Sequence, residues 1–518
     1  MGDVEPRISD LILKHLPDLP ASIGVVGGEP AEAYSTHLES AGYQVFRYFF
    51  SDPPTHPSLE TGHGGIGCRR NDFPGHEKLN GMATQCDAIL FCGFSNGVDP
   101  LMRAFNGVRG LLREKGVVLI CHEMKDDPLI GEDPGTQRQN DVISALYEFG
   151  FGVRCNEWIG VNARSSRDPE RPSKTGCHVV VGKKDRVFVR GYREGDETDI
   201  LTMFTEVFKV DRTLEHWYWK FRDNPFGAYR IAEAFGADGT LAGHYSGYPV
   251  PFYAPARGGS EFLSYQIGDI MTRPGFRQVG LANTSVLGRM TDYFHHRFCI
   301  SAVPFMYGFI TGNHKRFGER FLGYSYLHQI PYHVLNIAGL RLNVKGRAAA
   351  FLSGLSVKPV AHMRPEFDVF FQQVSEGYGL LVKRDAAYLK WRYLDCPDHR
   401  HTLFAVRRLG RLAGWSAFSR RGDALIWGDA LFRKTTDVRT VRVMLDYVLA
   451  HYFPGVARIE AWFSPEPQWW KALLRDVGFR ATDEPNKLVA GVTIFDRSFS
   501  QEWIQKHLYY AMGDSDLF

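Results

Sequence analysis

Short apolar runs alternate with amphipathic ones over the first third of the chain. "IGVVGG" (23–28) reads as a buried strand ending in glycines, "PAEAYSTHLESAG" (30–42) has helical spacing and a Gly stop, and "YQVFRYFF" (43–50) returns to strand character. A Gly/His/Pro-rich loop (51–81) follows. The alternation then resumes with "CDAILFCG" (86–93), a helix over 98–115, "GVVLICHE" (116–123), a helix over 137–149 and "FGVRCNEWIGVNA" (151–163). Strands separated by helices predict an α/β domain over residues 1–163 with a doubly wound, mainly parallel sheet. Its ligand crevice should lie at the carboxyl ends of the strands, near Gly27 and Gly28. The basic, Pro-containing stretch "RSSRDPERPSKTG" (164–176) marks a linker, taken here as 164–185.

Beyond the linker the pattern repeats. "WKFRDNP" (219–225) and "WRYLDCP" (391–397) share W-[K/R]-[F/Y]-x-D-x-P. Each is followed by a strand-like run turning at Leu-Ala-Gly, "TLAGHYSG" (240–247) and "RLAGWSAF" (411–418). An apolar strand with one Asp comes next, "YQIGDIM" (265–271) and "ALIWGDAL" (424–431), and then a helix ending in Gly-aromatic, "ERFLGY" (319–324) and "RDVGF" (475–479). Four correspondences in one order predict two copies of one α+β domain, at 186–335 and 336–500, with a tail at 501–518.

Composition narrows the partners. The 61 Lys+Arg against 58 Asp+Glu leave a formal charge of +3, so no strong field for nucleic acid or anionic lipid is expected. Eight scattered cysteines without a CxxC pair read as reduced thiols. The amino-terminal residues are acidic where a signal peptide needs bases, and their apolar stretch is too short to span a bilayer, so a cytoplasmic protein is expected. His56, His63, Cys68, Asp72 and His76 share one Gly-rich loop at spacings that fit no standard metal site, and no metal is expected. His295 and His296 are read as surface or packing residues. The paired Trp469 and Trp470 of "PEPQWWKALL" would be expensive to leave exposed.

The candidate chemistry lies in "TRPGFRQVGLANTS" (272–285), where Arg277, Gly280 and Ala282 spell R-x-x-G-x-A at a predicted strand-to-helix junction. The first turn of a helix presents unpaired N–H groups and the positive end of its dipole, a cradle for a diphosphate. In this reading Gly280 lets phosphate oxygens approach the backbone, Ala282 leaves the turn open, and Arg277 adds a charged donor.

These residues resemble the GNAT acyltransferases, whose pyrophosphate signature is [R/Q]-x-x-G-x-[G/A] after a fourth strand. Arg277, Gln278, Val279, Gly280, Leu281 and Ala282 stand on that signature, and "FMYGFITGNHKRFGERFLGY" (305–324) is similar to the family's fifth strand and next helix, including Asn313. The resemblance covers about 186–335 and, more faintly, 336–500. It implies two GNAT-like α+β domains after the α/β domain, acetyl-CoA or another acyl-CoA as cofactor, and a small-molecule amine or amino sugar as acceptor. Backbone groups of Ile270, Met271 and Thr272 would hold the pantetheine arm, and donors near Met271 would polarise the thioester carbonyl. Asp269 would take the ammonium proton, or else is a strand-end carboxylate paired to an Arg or one that only binds the acceptor. Family members often carry a Tyr, as acid for the leaving thiolate, where this chain has Glu319; Tyr324 and Tyr307 are either its substitutes or core aromatics, and the general acid is unassigned. The second copy keeps Asp429 but follows it with "ALFRKTTDVRTVRVMLDY", which lacks R-x-x-G-x-A and is expected to bind no CoA.

The amino-terminal block resembles class I S-adenosylmethionine methyltransferases in layout. Of their Gly-rich motif Gly24, Gly27 and Gly28 remain, while Arg47 stands as the only charge in the strand where the family has a ribose-binding acid. The resemblance implies a degenerate or repurposed domain. An S-adenosylmethionine-dependent methyltransferase using the repeats as substrate-binding modules, and a non-catalytic acyl-CoA-binding scaffold, are the alternatives to acyl transfer.

Overall fold

The structure, a computed structural model, describes residues 6–27, 29–51, 65–69, 86–92, 110–124, 134–160, 176–311, 315–337, 354–398 and 401–518. They divide into two compact units. One holds residues to Gly191 with Ala232–His244 and Thr272–Ser301; the other holds Tyr192–Ile231, Tyr245–Met271 and Ala302–Phe518.

The first unit contains a seven-stranded sheet in the order Gly65–Arg69, Gln44–Ser51, Ser22–Gly27, Cys86–Cys92, Leu112–Met124, Gly176–Lys184, Phe151–Gly160. The first five strands are parallel. The strand Gly176–Lys184 runs antiparallel to both its neighbours. The mainly parallel sheet is as the alternation predicts, with two differences. Leu112–Met124 is already strand where the helix was expected to reach 115. Residues 176–184, expected as linker, form an internal strand instead. Val179, Val180 and Val181 are fully buried, the continuous β-branched run that a strand covered on both faces requires.

The helix Val286–Phe294 also belongs to this unit, whereas the repeat boundaries had assigned it to a free-standing 186–335 domain. It is tied to the helix Pro134–Glu148 by two crossed bonds. The Tyr147 hydroxyl donates to Asp292 at 2.7 Å, and that of Tyr293 donates to Glu148 at 2.7 Å. Arg289 pairs with Asp185 at 2.6 Å. His295 and His296 are half-buried there, and His296 bonds Asn140 at 2.8 Å, which fits the packing reading.

The second unit carries the second copy of the repeat and the remainder of the first, and they exchange strands. Leu488–Ile494, from the second copy, lies between Phe305–Thr311 and Ser325–Gln329 of the first. Reciprocally, Tyr332–Asn336 from the first copy lies between Arg458–Trp462 and Arg480–Thr482 of the second. All four contacts are antiparallel. Cutting the chain at 335/336 therefore separates sequences but not folding units.

Trp219 and Trp391 stack at 5.3 Å between the copies. Trp469 is partly covered and Trp470 is buried, each against other aromatic rings. The C-terminal residues are not a loose tail: Tyr509, Tyr510, Ala511, Asp514 and Ser515 are all buried, and Leu508–Tyr509 pairs with Leu380–Val382. Among the described residues no helix is long and apolar enough to cross a membrane.

Candidate active site

In both copies a parallel strand pair stops after three residues. Tyr265–Ile267 pairs with Met306–Gly308, and Ala424–Ile426 with Arg458–Glu460, after which each pair parts. Each strand carries its Gly-Asp just beyond the parting, Gly268-Asp269 and Gly428-Asp429. A splayed strand leaves backbone groups free to meet a ligand in place of a neighbouring strand.

Asp269 sits at φ +52°, a left-handed conformation that a non-Gly residue keeps only when its surroundings hold it there. They do so here by charge. Arg212 grips both carboxylate oxygens, and the Lys220 ammonium lies 2.9 Å from Oδ2. Burial opposes ionisation of Asp269, but these two cations outweigh it and hold the carboxyl well below the usual range. A proton acceptor needs the opposite tuning. Of the sequence readings, the geometry fits the paired strand-end carboxylate, and the partner Arg is Arg212.

Lys220, the basic residue of the first corner motif, also reaches Asp516 at 2.9 Å. The Asp516 carboxylate lies against Gly268, where any side chain would collide with it. The second corner behaves in parallel: Arg392 donates to the carbonyls of Gly513 and Ser515 at 3.0 and 2.9 Å, and the Phe518 ring covers Gly428. The C-terminal segment therefore meets the same two positions in both copies.

The copies differ in the carboxylate that follows. Asp429 is fully buried, bonded by Arg384 at 3.1 Å, Tyr393 at 2.7 Å and the Ala430 N–H at 2.8 Å. Arg384 is shared with Asp514 at 2.5 Å. Burial, with the like charge of Asp514 and against the pull of Arg384, pushes the Asp429 carboxyl up to about 6.

In the signature loop of the first copy Arg277, Gln278, Gly280 and Leu281 are exposed, and Val279 and Ala282 are half-buried. Gly280 adopts φ +75° and Ala282 φ +55°. The conformation of Gly280 is required by the loop itself, because a Cβ there would strike the Thr284 carbonyl. Within the loop the N–H groups of Arg277, Val279 and Thr284 close turns, and that of Leu281 bonds the Thr284 hydroxyl at 3.1 Å. The N–H groups of Gln278, Gly280, Ala282 and Asn283 have no partner among the described residues. The Arg277 Nε bonds the Thr272 carbonyl at 3.1 Å, which leaves the exposed end of its guanidinium in solvent. The helix starts only at Val286, capped by Ser285, so the signature precedes the helix instead of forming its first turn.

Met271 is buried and Ile270 and Thr272 are half-buried. Tyr324 is buried with its hydroxyl 3.0 Å from that of Tyr245. The Tyr307 hydroxyl is buried without a hydrogen-bond partner among the described residues, and burial raises its pKa well above the usual value. Glu319 is exposed. Asn313, Gly28, His56, His63, Asp72 and His76 lie outside the described residues. In the amino-terminal sheet Arg47 pairs with Glu39 at 2.6 Å. The described groups of His, Cys, Asp and Glu include none of three or more that could hold a metal.

Sequence reasoning missed Arg212 and His216, which precede Lys220 at successive four-residue steps in "DRTLEHWYWK". That spacing stacks His216 and Lys220 on one face of the helix Leu214–Phe221 and was the available signal for His216, whereas Arg212 precedes the helix and gave none.

Neither the protein-family models nor the curated protein sequences match this chain. Among solved structures, a conserved protein of unknown function from Enterococcus faecalis, described as a probable N-acyltransferase, aligns with 60% of this chain and 73% of its own at 11% identity and a TM-score of 0.45. A GCN5-related glucosamine N-acetyltransferase region of a fungal multi-domain GH3 β-N-acetylglucosaminidase aligns with 92% of this chain and 56% of its own, at 11% identity and a TM-score of 0.41. A tandem GNAT protein from the clavulanic acid biosynthesis pathway aligns with 60% and 98%, at 13% identity and a TM-score of 0.37. The chain's structural neighbours are thus GNAT N-acyltransferases, tandem ones included, over part of its length.

Proposed function

We propose that this chain is an N-acyltransferase that moves an acyl group, acetyl in the first instance, from CoA to the amine of a small molecule or sugar. The observation that carries the reading is the set of four unpartnered N–H groups at Gln278, Gly280, Ala282 and Asn283, on a loop whose guanidinium at Arg277 keeps free donors. Such a set binds a doubly charged linker.

The second copy is the internal control. Its corresponding helix, Val438–His451, begins with Asp437, whose carboxylate accepts the Thr440 N–H at 2.8 Å. An anion already occupies that helix start and repels another, which supports CoA binding in the first copy only. No role is given to S-adenosylmethionine, since the strand that should supply a ribose-binding acid supplies Arg47, paired to Glu39.

The reading is tested by following CoA thiol release from acetyl-CoA with a panel of primary amines: an amino sugar, a polyamine and lysine. Amine-dependent release that is lost in Arg277→Glu supports it. Release that is independent of every amine and of Arg277 contradicts it.

A further inference from the structure

Acyl transfer to an amine needs a group that can take a proton from nitrogen, and Asp269 is committed to Arg212 and Lys220. One helical turn before Lys220, on the same face of the helix Leu214–Phe221, stands His216. Its Nδ1 lies 3.0 Å from a carboxylate oxygen of Asp398, a residue of the second copy's corner 182 positions away. The ring stands edge-on to Trp219 at 5.1 Å, and its backbone N–H is fixed by the Thr213 cap at 3.1 Å. Such a pairing selects the tautomer with hydrogen on Nδ1 and leaves the Nε2 lone pair free. Nε2 makes no hydrogen bond within the described protein and is not sealed from solvent.

Resting on the acyltransfer reading, we propose that His216, oriented by Asp398, is the base that accepts the proton of the attacking nitrogen. The acceptor arrives as a neutral amine, and its nitrogen forms a bond to the thioester carbonyl carbon. The C–S bond breaks with its electron pair leaving on sulfur. The proton released from nitrogen passes to His216 Nε2 and from there to solvent, while the thiolate takes up one proton. Nitrogen becomes strongly acidic as the C–N bond forms, so a base of modest strength suffices.

The charged groups around the ring agree with this role. Burial, followed by the charges of Arg212 and Lys220, depresses the His216 pKa to about 4 against the opposing pull of Asp398. The imidazole is therefore neutral across the physiological range. Asp269 and Asp516, the remaining charges of the cluster, are bound to Lys220.

The test uses the full chain with acetyl-CoA and the amine panel, alongside calorimetric binding of acetyl-CoA. His216→Gln is expected to lower kcat by about 10²–10⁴-fold while the acetyl-CoA Kd and the melting temperature hold. His216→Ala should recover turnover with added imidazole. Asp398→Asn should give a smaller loss, and by ¹⁵N NMR wild-type Nε2 should be unprotonated between about pH 5 and 8. Should His216→Gln fail to fold, Asp398→Asn and the NMR measurement decide. Unchanged kcat in His216→Gln with normal acetyl-CoA binding, or a protonated Nε2, overturns the assignment of the base alone. Absence of acetyl-CoA binding in the wild type overturns the acyltransfer reading and this inference together.

Discussion

Trp219 and Trp391, 172 residues apart, bond each other reciprocally: each indole N–H donates to the other's backbone carbonyl, at 2.8 and 3.1 Å, and the rings stack. The same position in each copy meets its counterpart, as in the self-complementary interface of a symmetric dimer. Replacing either Trp by Phe keeps most of the ring contact but leaves a buried carbonyl without its donor, for a loss of about 1–3 kcal/mol. The double variant should lose less than the sum, with a coupling of about 0.5–3 kcal/mol, measured by denaturant unfolding. Strict additivity would mean that the two corners do not support each other.

The corners illustrate how much could be read in the chain itself. A Trp, a basic residue, an Asp and a Pro at fixed spacing recur because the same turn must be built twice, and the repeat was legible from them. The strand exchange was not, because the apolar run at 488–494 records that it will be buried without recording which strand will lie beside it. The run at 176–184 was hidden by the basic stretch before it, although its valines carried a strand signal. Asp269 shows the same limit in the site. A lone acid in an apolar strand invites a catalytic reading, and only the fold brings Arg212 to it across 57 residues.

The Asp269 pairing carries its own prediction. Asp269→Asn strips Arg212 of its buried partner and leaves Lys220 with Asp516 alone, so stability should fall by about 3–5 kcal/mol. Because the native carboxyl is held below its usual range, this contribution is complete above about pH 4 and is lost only as the pH falls through the native value. A variant of normal stability with abolished turnover would restore Asp269 as the base.

Asp429 should titrate in the opposite sense. Its native pKa of about 6 lies above the value of about 4 expected for the unfolded chain, so its contribution is complete below about pH 4 and is lost as the pH rises through 6. Asp429→Asn mimics the protonated form. The melting temperature of this variant relative to wild type should improve between pH 5 and about pH 6.5 and then level off towards pH 8. A constant difference across that range would show that Asp429 is ionised throughout.

In the signature loop, Ala282 holds a left-handed backbone that glycine adopts without strain. Ala282→Gly should therefore stabilise the protein by about 1 kcal/mol in thermal unfolding without weakening acetyl-CoA binding. Gly280→Ala should do the reverse, since its Cβ meets the Thr284 carbonyl. A Gly280→Ala protein of wild-type stability would contradict this loop geometry.

The diphosphate claim is tested most directly by calorimetric titration of the intact chain with acetyl-CoA, and with S-adenosylhomocysteine as the competing ligand, comparing wild type with Arg277→Gln. Arg277 is exposed, so this change should leave the melting temperature untouched. Acetyl-CoA should bind one site per chain, about 10-fold or more weaker in the variant as one charged hydrogen bond is lost. Binding of S-adenosylhomocysteine without acetyl-CoA, or acetyl-CoA affinity indifferent to Arg277, would contradict the account.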